Sequence, residues 1–90
     1  MRPELELTMR YHEGRPYVGY LKLVREQKVQ SRHQEELEPD LIVDFDRHGR
    51  PLGIEILFPQ RATWTRLNRV LKKLGFKPLA RRWARALRAA

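Results

Sequence analysis

Ninety residues with no cysteine and a formal charge of +8 describe one domain, with no disulfide frame and no thiolate for nucleophilic or zinc chemistry. The charge is unevenly placed. Residues 61–90 hold ten Lys or Arg and no acid, whereas residues 1–60 hold nine basic and eleven acidic residues. A single-sign field of this kind attracts an anionic partner and works against compactness. A chain of this length buries roughly 60–65% of its unfolded surface. No apolar run approaches the eighteen or so residues of a membrane span. Met1-Arg2-Pro3-Glu4 lacks the apolar core of a signal peptide. Together with the missing cysteines, this predicts a cytoplasmic protein. Arg outnumbers Lys fourteen to five; Arg binds phosphate bidentately, but such usage also follows from genome composition and carries little weight.

In chain order, Glu4 to Tyr11 alternates strictly, with Leu5, Leu7, Met9 and Tyr11 on one face, which is the period of a half-buried strand. His12-Glu13-Gly14-Arg15-Pro16 supplies a turn, and Tyr17–Val24, rich in aromatic and β-branched residues, reads as the returning strand. Residues 25–39 carry good helix formers, with Val29, His33 and Leu37 spaced i, i+4, i+8. That stripe is thin and follows a hairpin, so a polar edge strand around Lys28–Glu35 is the expectation.

Leu41–Asp46 and Leu52–Phe58 read as strands joined by Arg47-His48-Gly49-Arg50-Pro51, with Gly49 available for a positive φ. Ile54, Ile56 and Phe58 are expected to face the core, and Gly53, Glu55 and Leu57 to face away. Pro59 closes the sheet because it cannot donate a ladder hydrogen bond. The pattern then changes period. Thr63 is the expected N-cap of a helix whose stripe is Trp64, Leu67, Val70, Leu71 and Leu74, stopped at Gly75. A second helix from Pro78 or Leu79 would place Leu79, Trp83, Ala86 and Leu87 on one side. Its other side would carry Arg81, Arg82, Arg85 and Arg88, as Arg66, Arg69, Lys72 and Lys73 occupy the outer side of the first.

Pro39–Asp46, Gly49 and then Leu52-Gly53-Ile54-Glu55-Ile56-Leu57 resemble the signature of a small bacterial family of unknown function, a Val-Asp-x-Asp hairpin closed by Gly-Ile-Glu-Ile. The resemblance covers about twenty residues. The family's first half carries an acidic Tyr-Asp segment and a later Asp, and Tyr11–Tyr17 lacks those acids here. The resemblance implies a β-meander core and, for some members, an antitoxin role. It brings no catalytic residue.

Other constellations weigh less. Asp44-x-Asp46-x-His48-Gly49 with Glu55 approaches a calcium loop. His48 is a poor ligand for a hard cation, and the segment lies between strands. The plain reading is two solvent-facing acids beside a turn. Ser31-x-His33 puts two polar side chains on one face of an exposed edge. A small ribonuclease would need Glu55 or His48 beside the basic tail. Membrane-surface binding would use Leu79, Trp83 and Leu87.

The expected architecture is α+β, one domain over residues 1–90. A four- or five-stranded antiparallel meander fills 1–59, and a basic C-terminal two-helix hairpin fills 61–90. The expected function is a non-enzymatic binding module that takes nucleic acid through Arg66, Arg69, Lys72, Lys73, Arg81, Arg82, Arg85 and Arg88. Next come an acidic protein partner (antitoxin-like pairing included) or a homodimer. No cofactor and no metal site are expected.

Overall fold

The structure is a computed structural model and describes residues 6–24, 30–59 and 64–82. Its elements are β1 (Glu6–His12), β2 (Arg15–Lys22), β3 (His33–Glu38), β4 (Leu41–Phe45), β5 (Pro51–Leu57) and α1 (Trp64–Lys73). All five strands form one antiparallel sheet in the order β1-β2-β5-β4-β3.

That order corrects the expected meander. β2 pairs with β5, and β3 crosses to the far edge, so β3-β4-β5 form a meander against which the β1-β2 hairpin closes. The physical reason lies in composition. β5 contributes the buried Leu52, Ile54 and Ile56, whereas β3 is His-Gln-Glu-Glu-Leu-Glu. A strand carrying three carboxylates cannot sit between two neighbours without desolvating charge, so the apolar strand takes the centre. The polar edge strand is present, with bounds shifted from Lys28–Glu35 to His33–Glu38; residues 25–29 lie outside the described residues.

Alternation sorts the side chains. Leu21, Leu41, Val43, Ile54 and Ile56 are buried on the inner face, with Leu7 and Met9 half-buried beside them. α1 presents Leu67, Val70 and Leu71 to that face, and Phe76 and Leu79 complete the core. Two inward expectations fail. Phe58 is 49% exposed with φ 53°, because the chain leaves the ladder at Leu57, and Tyr11 is 60% exposed beyond a register shift at Arg10/Tyr11.

The second basic helix is a further correction. Among the described residues α1 is the one element of helix; at the expected start, residues 76–80 carry no regular structure, Arg81 lies in a turn and helical geometry is met only at Arg82, with 83–90 outside the described residues. Gly75, at φ 83°, ends α1 with paired bonds: its N–H donates to Lys72 O at 3.1 Å and Phe76 N–H to Leu71 O at 2.9 Å. This is a Schellman cap. The chain then folds back along α1. Asn68 Oδ1 accepts the Leu79 N–H at 2.8 Å, and Trp64 Nε1–H donates to Leu79 O at 2.9 Å. With both backbone groups of Leu79 held by side chains and its own side chain buried, this position anchors an irregular segment instead of opening a helix. Thr63, Trp83, Ala86 and Leu87 lie outside the described residues.

Candidate functional site

Two surfaces separated by the thickness of the sheet carry chemistry. On the α1 side, the expected cations divide into three groups. Arg66, Arg69 and Lys73 turn toward β3 and the turn after it. The Arg69 guanidinium pairs with Glu38 at 2.8 Å, Arg66 donates to Pro39 O, and Lys73 Nζ donates to Leu37 O at 3.4 Å. They hold the helix to the sheet edge. Lys72, Arg81 and Arg82 are exposed, as is Lys77, which was not among the expected residues, and Arg81 rests 5.9 Å from the centre of the Trp64 ring. Arg85 and Arg88 lie outside the described residues.

Leu79, proposed from sequence as a lipid anchor, is 4% exposed within the core and is not available to a headgroup. Among the described residues, no helix is long and apolar enough to cross a membrane.

The opposite face of the sheet was not marked by sequence. The register places Lys22, Tyr20 and Val18 of β2 beside Gly53, Glu55 and Leu57 of β5, and Asp44 and Ile42 of β4 beyond them. Tyr20 leans over Gly53, where any Cβ would collide with the phenol. The lean carries its hydroxyl to Asp44 Oδ2 at 3.1 Å. Asp44 Oδ1 accepts from Gln34 Nε2 at 2.6 Å and from Ser31 Oγ at 3.3 Å. A carboxylate that is only 8% exposed thus has three neutral donors, which is how its charge is tolerated there. Burial above all, then the charge of Asp44, the hydrogen bond to it and the charge of Glu55, push the Tyr20 phenol well above its ordinary value of 10.0. It stays a donor through the physiological range.

Asp46 serves the β4–β5 turn. It accepts from the Arg50 N–H at 2.9 Å, the His48 N–H at 2.8 Å and Arg50 Nε at 3.0 Å. Those bonds, the Arg50 N–H first and against the opposing effect of burial, hold its carboxyl below the ordinary carboxylate range. The expectation of two solvent-facing acids is therefore corrected. Asp44 and Asp46 are both buried, spent on separate networks. Among the described residues no group of three His, Asp or Glu is arranged to hold a metal ion. Glu55 lies on the face opposite α1, so the fold does not bring it to the cations of the helix.

The signal for the Asp44 network was present but incomplete. An acid inside the apolar run Leu41–Phe45 and a glycine inside Leu52–Leu57 each ask for a reason. Only the pairing of β2 with β5 supplies the tyrosine that answers both.

Residues 18–58 match a family described as a protein of unknown function (DUF2283). The match runs from Val18, within β2, to just past the end of β5, and so includes Tyr20, Asp44, Gly53 and Glu55 but not β1 or α1. No curated protein and no solved structure matches the chain.

Proposed function

We propose that the protein is a non-enzymatic binding module that takes nucleic acid through the cations of its C-terminal third. The observation that carries this reading is the run of ten Lys and Arg without one acid over residues 61–90. Its support in the fold is the exposure of Lys72, Lys77, Arg81 and Arg82, none of which meets a carboxylate among the described residues. Contacts of this type neutralise phosphates and position the polymer without reading bases. With four cations each displacing one counterion, raising salt from about 50 to about 200 mM weakens duplex binding about 150-fold.

Fluorescence anisotropy with labelled duplex DNA and single-stranded RNA across that range tests the reading. A steep loss of affinity with salt, removed when Lys72, Lys77, Arg81 and Arg82 are replaced by Gln in a chain that keeps its circular dichroism, is the expected result. Absence of binding at low salt, or binding indifferent to the four substitutions, overturns it.

A second reading, an acidic protein partner or a second copy of the chain, draws on the Arg69–Glu38 pair. That contact shows α1 meeting a carboxylate-bearing strand edge with good geometry. A ribonuclease activity lacks this kind of support, because Glu55 sits across the sheet from the α1 cations.

A further inference from the structure

The lean of Tyr20 toward Asp44 leaves space above its own strand. A hollow of about 360 Å³ opens there, lined by Thr8, Arg10, Val18, Gly19, Tyr20 and Glu55. It lies on the sheet face away from α1 and is independent of the basic surface. Its two charged walls are opposite in sign. Arg10 stands on β1 and Glu55 on β5, with β2 between them and two residues of offset along the strands, so their backbones are roughly 12 Å apart.

Glu55 is half-buried between Tyr20 and Ile42, its neighbours across the ladder. Neither of those side chains gives it a hydrogen bond, and no described cation pairs with it. Asp44, one strand away, has three donors. A partly desolvated carboxylate without a donor is destabilising until a cation reaches it. Arg10 is exposed and likewise without a carboxylate partner among the described residues.

We infer that this hollow binds a small zwitterion, an α-amino acid with an apolar side chain, its ammonium on Glu55 and its carboxylate on Arg10. A purely anionic ligand would meet Glu55, and a purely cationic one would meet Arg10; only a ligand carrying both charges satisfies both walls. Arg offers a carboxylate two parallel donors. Val18 and Tyr20 give an apolar side chain its surface, and Thr8 lines the hollow from the same strand as Arg10. The volume is at the lower end of small-molecule sites, roughly 300–1,000 Å³.

The test is an amide chemical-shift titration of the full chain with L-leucine, N-acetyl-L-leucine and L-leucinamide. Leucine should shift Thr8, Arg10, Val18, Gly19, Tyr20 and Glu55 saturably. Each derivative, having lost one charge, should bind about tenfold more weakly or worse, as expected for a lost charge-assisted hydrogen bond. Glu55→Gln should weaken leucine and leucinamide while sparing the acetyl derivative. Arg10→Gln should weaken leucine and the acetyl derivative while sparing leucinamide. Glu55→Gln is isosteric and Arg10→Gln shortens an exposed side chain, and unchanged spectra elsewhere verify the fold.

No saturable shift with leucine overturns the inference, as does equal binding of all three compounds. A denaturation double-mutant cycle showing Arg10 and Glu55 strongly coupled also overturns it, because the two walls would then pair with each other. So does concentration-dependent broadening across this face without ligand, because a second copy would then be the occupant.

Discussion

Tyr20 decides how the open face is built. Its hydroxyl supplies one of three donors to a buried carboxylate, and its ring occupies the space that Gly53 leaves vacant. Tyr20→Phe removes that donor and should destabilise by about 1–2 kcal/mol, read as a shifted denaturant midpoint. The same tyrosine sets an alkaline limit. Its folded pKa is raised, so its contribution is complete below pH 10.0 and is lost as pH rises beyond that value. Ultraviolet titration of the wild type against Tyr20→Phe should therefore show Tyr20 resisting ionisation until the fold gives way. Asp46 works in the other direction. Its pKa is lowered, so its contribution is present above pH 3.8 and is lost as pH falls through the lower folded value. Asp46→Ala should lower stability at neutral pH and flatten its acid dependence, a comparison made by thermal melts across pH.

At the level of the elements, the cap at Gly75 makes a specific claim. A side chain at φ 83° is strained, so Gly75→Ala should cost about 1–2 kcal/mol and lower the melting temperature by several degrees. Surrounding space is not the cause, since nothing lies within 4 Å of a Cβ there. The stop at Gly75, the Leu67-Val70-Leu71 stripe and the β4–β5 turn were legible in sequence because each is written locally, in spacing or in one residue's conformational freedom. Strand order was not. Pairing of β2 with β5 joins residues more than thirty positions apart, and the clue that β3 is too acidic for the centre gains force only when five strands compete for places. Leu79 escaped for a related reason. Its spacing from Trp83 and Leu87 suggests a helix, but Asn68 and Trp64 claim its backbone from another element.

For the whole molecule, the charge division of the sequence is partly folded away. Arg69, though exposed, is paired with Glu38, while Lys72, Lys77, Arg81 and Arg82 meet no carboxylate among the described residues. Removing the acid should change that balance. On the nucleic-acid reading, Glu38→Gln frees Arg69, raises affinity for duplex DNA at low salt and steepens the salt dependence by about one unit of slope. Anisotropy at several salt concentrations reads both. An unchanged slope would mean that Arg69 stays on the β3 edge without its partner, held by the neighbouring carbonyls of Leu37 and Pro39. The candidate cations were legible as a count; which of them are occupied was not, because that depends on the acidic strand arriving at the edge beside α1.

The position of β5 also governs the order in which the protein can assemble during synthesis. A ribosome delivers β1 and β2 first, yet the inner edge of β2 pairs with the last strand of the sheet. The first hairpin must therefore wait, with Leu21 uncovered, until residue 57 has emerged and β4 and β5 have formed their own ladder. α1 then closes the inner face from the end of the chain. Nascent chains stalled with β5 still inside the exit tunnel should be protease-sensitive throughout the β1–β2 segment, and resistance should appear in one step once β5 and α1 are free.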